Sequence, residues 1–257
     1  MINWIDLHCH LNFLEVTPEQ AVSNALACGV NKMITIGTEP DDHKVVFELA
    51  HKLAPYVYCT LGVHPHEAIK YNEECEQWMA SRFEEPRVVA VGEIGLDYYY
   101  DHSPRGQQKK VFRRQLELAQ EYSLPVQIHT RDAEKDTIDI LKEFNGSIKG
   151  VIHCFTGTQE LADQALALGL NISISGVVTF KNAHKLRDIV KSLPKDRIHV
   201  ETDSPFLTPV PFRGKKNEPS FVVKTGEYLA NLLDVSVEEL AKLTNENTLR
   251  IFKKLKE

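Results

Sequence analysis

Two histidines stand two apart at the end of the first apolar run, in Ile5-Asp6-Leu7-His8-Cys9-His10. Side chains in a strand alternate, so His8 and His10 share a face and Cys9 takes the other. Two neutral imidazoles on one face can bind one metal ion. The same pair is also ordinary where a strand runs out into a loop, so alone it decides nothing. Similar residues recur after later apolar runs, however. His64 and His66 lie in "GVHPH", Glu93 and Asp97 in "GEIGLD", His129 and Arg131 in "HTR", His153 in "HCFTG", and Glu201 and Asp203 in "ETDSP".

The elements that must position these residues alternate along the chain. Strand-like runs cover Ile5–Leu7, Lys32–Ile36, Val57–Leu61, Val88–Val91, Val126–Ile128, Val151–Ile152, Asn171–Ile174 and Arg197–Val200. Between them lie helix signals. Thr17-Pro18-Glu19-Gln20 places an N-cap Thr before Pro and a Gln third in the helix, and Gly29 closes that run. Ser103-Pro104 opens a stretch to Tyr122, Thr158 one that ends at Gly169, and Ser236 begins a capping-box pattern in a helical tail from about Pro219 to Glu257. Eight strands alternating with helices predict an α/β fold, a single (β/α)₈ barrel over residues 1–257. A doubly wound open sheet is the alternative.

In a parallel barrel every strand ends on one face, where active sites of this fold lie. His8, His10, Glu93, His129, His153 and Asp203 then converge at the C-terminal ends of the strands. Any one of them reads equally as a solvated strand end, but six at six rim positions do not. Six ligands exceed what one catalytic ion normally takes. Two divalent ions ~3.5–4 Å apart that share a carboxylate use them all, and Glu93, central in order, is the natural bridge. Imidazole with carboxylate suits zinc, manganese, nickel or iron more than calcium, and magnesium stays open. Cys9 and Cys154 are expected to face away from the ions and pack as small apolar groups, with a thiolate ligand the lesser reading.

Composition bounds the rest. The 257 residues are 42% hydrophobic, enough for a sizeable core. No run approaches the ~18 apolar residues of a membrane span, and Met1-Ile2-Asn3-Trp4 shows neither a basic start nor an apolar core of a signal peptide. Five scattered cysteines without a C-x-x-C read as free thiols in a reducing cytoplasm. A net charge of −6 argues against a protein that coats nucleic acid electrostatically. It leaves room for an enzyme that grips a few phosphates. Nothing in the sequence calls for an obligate protein partner.

In "DLHCHL", "GVHPH", "GEIGLDYY", "LPVQIHTRDA", "IHCFTG", "SGVVTFK", "ETDSPFLTP" and "RGKKNEP" the chain resembles the TatD-type metal-dependent deoxyribonucleases of the amidohydrolase superfamily. The resemblance runs from His8 to the Asn245–Phe252 segment. It implies a barrel with divalent metals: His8, His10, Glu93 and Asp203 on one ion, and Glu93, His129 and His153 on the other. Glu93 stands where the wider superfamily often has a carbamylated lysine. His64 matches an active-site histidine outside the main ligand set. His199 falls where an aliphatic residue would be ordinary and reads best as a satisfied core histidine.

Two ions can neutralise a phosphodiester, lower the pKa of bound water from ~16 to ~7 and stabilise the leaving oxygen. Glu93 and Asp203 are then catalytic candidates with His64, Asp203 as the acceptor of the water's proton. Arg131, Lys181, Arg213 and Lys215, with Lys216, are candidates for the phosphates. Tyr98, in Tyr98-Tyr99-Tyr100, is a candidate for base stacking, although three adjacent tyrosines cannot all face the site. The resemblance implies DNA hydrolysis, exonucleolytic from the 3′ end of single strands. The same metals also suit an ester or amide such as a D-aminoacyl-tRNA. A non-enzymatic binding protein on a relic barrel is disfavoured, because six rim ligands have no packing use.

Overall fold

Eight strands pair in sequence order into one parallel sheet: β1 (Trp4–Cys9), β2 (Val30–Ile36), β3 (Val57–Leu61), β4 (Val88–Asp97), β5 (Val126–Arg131), β6 (Gly150–Ile152), β7 (Asn171–Ile174) and β8 (Ile198–Val200). This computed structural model describes residues 2–256, with only the backbone at Lys256. Met1 and Glu257, the ends of the N-terminal run and of the helical tail named above, lie outside the described residues. The sheet closes where β1 meets the chain beyond β8. Cys9 bridges Ser204 in parallel, the Asp203 N–H donates to His8 O at 2.8 Å, and the His10 N–H donates to Ser204 O at 2.8 Å. This closure makes a (β/α)₈ barrel and sets aside the open sheet.

Nine α-helices lie among the described residues: α1 (Pro18–Ala27), α2 (Pro40–Lys52), α3 (Glu73–Ala80), α4 (Arg105–Glu121), α5 (Glu134–Lys142), α6 (Gln159–Ala167), α7 (His184–Ser192), α8 (Val222–Leu232) and α9 (Val237–Ile251). Their starts follow the cap chemistry. Thr17, Thr158 and Ser236 each accept the N–H three residues on, and so satisfy a donor that the first turn leaves orphaned. Ser103 caps nothing. Its hydroxyl donates instead to His66 O at 2.6 Å, tying the loop after β4 to the loop after β3.

Two strands outrun their apolar stretches. β4 continues through Asp97 and β5 through Arg131, with Gly95 paired to His129 and Asp97 to Arg131. Ladder pairing, not hydrophobicity, sets these ends, so Glu93 and His129 lie inside strands rather than just beyond them. Gly95 must be glycine: its φ is +141°, and a Cβ there would lie 1.9 Å from His129 O. The register slips between Val91 and Ile94 against β5, and between Asp6 and Cys9 against β2. Such bulges re-aim side chains beside active sites. These two fall at Glu93 and at His8.

His199 is a fully satisfied buried histidine, as its sequence context suggests. Asn171 Nδ2 donates to its Nε2 at 2.8 Å, and its Nδ1 meets Thr248 Oγ1 at 2.9 Å. Burial, with the Arg250 guanidinium adding to it, pushes the imidazole down to about 3. An unfolded histidine titrates near ~6.5, so below that pH the unfolded chain binds the proton first. The contribution of His199 is fully present above ~6.5 and is lost as pH falls toward 3, at about 1.4 kcal/mol per pH unit at most. Chemical denaturation of wild type and His199→Gln between pH 7 and pH 3 should therefore show the shallower pH dependence in the variant. Parallel profiles would mean that the buried ring takes up its proton without unfolding.

Candidate metal centre

His8 Nδ1 contacts Gln127 Oε1 at 2.7 Å, a contact from β1 to β5 that has to cross the barrel interior. Gln127 Nε2 donates to Leu7 O at 2.9 Å, which fixes the amide with its oxygen toward the ring. That oxygen can only accept, so Nδ1 carries the His8 proton and Nε2 presents a lone pair. The Nε2 atom is buried and has no hydrogen-bond partner. It faces Glu93 Oε2 at 3.5 Å and Asp203 Oδ1 at 3.7 Å. A lone pair aimed at two carboxylates is repulsive unless a cation lies between them. These separations also suit two ligands of one ion, which stand about 3.4 Å apart across bonds of about 2.1 Å in a tetrahedron. The donor set therefore fits a divalent cation.

Glu93 is the hub. Its Oε2 faces His8, while its Oε1 lies 3.4 Å from His64 Nε2, 3.0 Å from His129 Nδ1 and 2.8 Å from His153 Nε2. On the Oε2 side, His10 Nε2 lies 3.4 Å from Asp203 Oδ1. Asp203 adopts φ +55°, a region rarely used outside glycine. It is held there by its own N–H on His8 O and by the Phe206 N–H on its carbonyl. Below it, Asp6 accepts the Thr202 N–H at 2.8 Å and the Thr202 hydroxyl at 2.6 Å. Asp6 thus clamps the β8 exit to β1 directly beneath both histidines.

A second layer of acceptors orients the imidazoles, as around metal-bound histidines generally. Asp97 Oδ2 receives His129 Nε2 and His66 Nε2, each at 3.0 Å, and Asp97 Oδ1 receives the N–H groups of Tyr99 and Tyr100. Glu201 lies 3.3 Å from His153 Nδ1 and is itself bonded by Ser173 and by the Cys154 N–H. His64 differs from the others. Its Nδ1 accepts the His66 N–H at 3.1 Å, so the neutral ring carries its proton on Nε2 and points a donor at Glu93.

The electrostatics follow from this packing. Burial alone would raise the Glu93 carboxyl, but the imidazoles of His153 and His64 and hydrogen bonds from His129 and His153 outweigh it and hold Glu93 well below the carboxylate range. Burial likewise opposes ionisation of Asp203, and His10 and His8 reverse it. Asp97 is held down by His129 and His66 against the same penalty. His64 moves the other way: desolvation pushes it down to about 4 and keeps it neutral. Ionised acids thus face imidazole rings in a buried mouth, where a cation is the natural counter-charge.

A family model described as "TatD related DNase" matches residues 5–253. The chain belongs to this family. An "uncharacterized metal-dependent hydrolase YabD" of Bacillus subtilis (strain 168) is 41% identical over 251 residues, 96% of this chain and 98% of that one. A "3'-5' ssDNA/RNA exonuclease TatD" of Erwinia amylovora is 37% identical over 240 residues, 91% of this chain and 93% of that one. The crystal structure of YJJV, a TatD homolog from Escherichia coli K12, superposes with a TM-score of 0.92 at 32% identity, covering 98% of this chain and 99% of that one. The protein is thus a metal-dependent hydrolase of the TatD family.

Within this TatD-family site, the expected substrate-binding residues fare unevenly. Arg131 is exposed at the end of β5, its guanidinium 4.1 Å from the Tyr99 ring centre and 4.9 Å from that of Tyr100. Lys181 is exposed in the loop after β7. Arg213 stacks on Phe180 at 3.8 Å and donates to Thr208 O, Lys215 lies 5.6 Å from the Phe212 ring centre, and Lys216 pairs with Glu15 at 3.7 Å. Tyr98 is a correction. Its hydroxyl donates to Asp136 on α5 at 2.6 Å and its ring packs on the core beneath Arg105, so it is the packing member of the three tyrosines. Tyr99 and Tyr100 are the exposed ones. Cys9 packs in the core with its thiol on Ile34 O, as expected. Cys154 does not pack as an apolar group: it is half-buried, with its thiol 3.3 Å from Ser175 Oγ. Gln127, Asp97, Glu201 and Asp6 support the site without a signal of their own in sequence, although all four sit inside the conspicuous motifs.

Asp97→Asn tests the second layer. Both imidazoles end on one oxygen, so an amide turns its NH2 either onto His129 and His66 together or onto the Tyr99 and Tyr100 N–H groups, and in each case donor meets donor. Titration of the metal-free protein with zinc or manganese should show affinity about 10- to 100-fold weaker than wild type, with an unchanged circular-dichroism spectrum. Undiminished affinity would mean that Asp97 does not orient His129.

Proposed function

We propose that this chain hydrolyses phosphodiester bonds of single-stranded DNA from the 3′ end, using two divalent ions held at the strand ends. His8, His10, Glu93 and Asp203 would hold one ion, and Glu93, His129 and His153 the other. The observation that carries this reading is the split of Glu93: one oxygen faces His8, and the other faces His129 and His153. A carboxylate so placed can serve two ions at once. Bound there, divalent ions supply Lewis acidity and lower the pKa of a bound water.

The chain's own groups then have distinct tasks. Asp203 is the one acid of the cluster with partial solvent access, its side chain 15% exposed against 5% or less for Glu93, Asp97 and Glu201. It can take a proton from water and pass it to bulk. His64, kept neutral with a proton on Nε2, can donate a hydrogen bond to a phosphate oxygen at the Glu93 edge. Arg131 has a planar fork suited to two phosphate oxygens and a position two residues past His129. Support for a nucleic-acid substrate comes from relatives such as the Erwinia amylovora exonuclease. The exposed Lys181 and the Arg213–Lys216 loop offer further positive charge, and the net charge of −6 limits how many phosphates can be held.

Metal add-back, two variants, an alternative substrate and a salt series test this. Chelated protein should regain hydrolysis of single-stranded DNA on addition of a divalent metal, and Glu93→Ala should bind less metal and lose turnover while remaining folded. Hydrolysis of an aminoacyl-tRNA but of no DNA, with each metal tried, would move the substrate to the acyl ester. Arg131→Ala should lower kcat/KM on DNA roughly tenfold while sparing a small neutral ester, since its charge acts only on a phosphate chain. Binding should weaken with salt by about −0.7 in log–log slope per neutralised phosphate. A slope reporting many phosphates, or an equal loss on the ester, would contradict a site of few phosphate contacts.

A further inference from the structure

Two phenylalanines at the mouth have no packing explanation. Phe13 ends the single turn Leu11–Phe13 that follows β1 and is 45% exposed; Phe206 lies three residues past Asp203 and is 53% exposed. Both abut the same imidazole. The Phe13 ring stacks on His10 at 5.4 Å between centres and 17° between planes, and the Phe206 ring meets His10 edge-on at 6.1 Å and 71°. The backbone under Phe206 is fixed at both ends, by its N–H on Asp203 O and by Asn217 Nδ2 on its carbonyl, while the same amide also holds Thr202 O. The N–H of Phe13 is bonded to His10 O. Two large apolar rings are thus held half in solvent, within one residue's reach of the Asp203 carboxylate.

The opposite chemistry marks the His129 side. There Asp97 anchors the Tyr99 and Tyr100 backbone, and Arg131 covers both rings. Arg131 lies over both of those rings, whereas no cation is found over the Phe13 or Phe206 ring among the described residues, although Arg213 and Lys215 follow Phe206 in the same loop and Lys216 pairs with Glu15. A phosphodiester chain is amphipathic in the same way, with phosphates that need cations and a base that needs an apolar face.

We propose that Phe13 and Phe206 form a stacking site for the nucleobase next to the scissile bond. This rests on the nucleic-acid reading above and adds where a base of the substrate lies. The base presents a π-face whatever its identity, so such a site binds without sequence preference.

The test uses single-stranded oligonucleotides that differ only at the 3′ residue, one bearing 2-aminopurine and one an abasic tetrahydrofuran. Metal-free wild type should quench the 2-aminopurine fluorescence on binding, and the Phe13→Ala/Phe206→Ala double variant should not. In the metal-loaded protein, wild type should favour the base-bearing end over the abasic end by roughly tenfold in kcat/KM, the scale of one base–aromatic stack. The double variant should bring that ratio toward one. Phe13→Tyr and Phe206→Tyr, which keep an aromatic face, should retain quenching and ratio. Efficient hydrolysis with no quenching and no preference overturns the stacking site and leaves the nuclease reading intact. Quenching that the double variant loses, without hydrolysis of any oligonucleotide, supports the base site and overturns the nuclease reading. Equal loss on base-bearing and abasic ends in the double variant overturns the proposal, because the rings then only shape the mouth.

Discussion

Everything at the rim depends on one buried carboxylate. Glu93 is 4% exposed and sits within 3.5 Å of imidazoles from four other segments of the barrel: His8, His64, His129 and His153. Taking a carboxylate out of water costs several kcal/mol unless opposite charge and hydrogen bonds offset it. No single strand can supply four partners to one side chain, so they must arrive from strand ends that a closed barrel gathers. The bulge between Val91 and Ile94 brings Glu93 to that point, and the pairing of Cys9 with Ser204 brings β1 there. Barrel closure and hub are therefore one requirement.

The next layer decides what the imidazoles can do. An imidazole binds a cation only through a nitrogen that has no proton, and the proton's position is set by the partner at the other nitrogen. Gln127 fixes it for His8, Asp97 for His129 and the His66 N–H for His64, while the Glu201 carboxylate, 3.3 Å from the far nitrogen of His153, favours a proton there. In His8, His129 and His153, an acceptor faces the far nitrogen, so the near one is the nitrogen that can give up its proton for a cation. In His64, a donor does the reverse. Four histidines that look alike in sequence thus divide into three whose near nitrogen can face a cation and one that presents a hydrogen instead.

That division also explains what could and could not be read from the chain. Alternation and element count were enough to bring His8, His10, Glu93, His129, His153 and Asp203 to one face, because each sits at the end of an apolar run. Strand limits were less legible: β4 and β5 extend through polar residues that hold their places by pairing, which leaves no hydrophobic trace. The orienting residues depend on register between strands. Asp97 reaches His129 because β4 and β5 pair Gly95 with His129, and no pattern within either strand states that offset. Tyr98 was misjudged for a related reason. Of three consecutive tyrosines, the one that packs is chosen by Asp136 on α5, far away in sequence.

A chain of net charge −6 would meet the polyanion proposed above only through local cations. Three cations of the rim lie against rings: Arg131 on Tyr99 and Tyr100, Arg213 on Phe180 and Lys215 near Phe212. Such contacts hold a flexible cation in place at about 0.5–1 kcal/mol each on an exposed surface, which suits a site that grips few phosphates but grips them in register. They have a second consequence. A ring face under a guanidinium is closed to a base, so the tyrosines beside Arg131 serve the cation first. Open aromatic surface at the mouth is then left to Phe13 and Phe206 on the far flank, beside His10. Cations and open rings thus occupy different side chains at this rim, because a ring face already covered by a cation cannot also take a base.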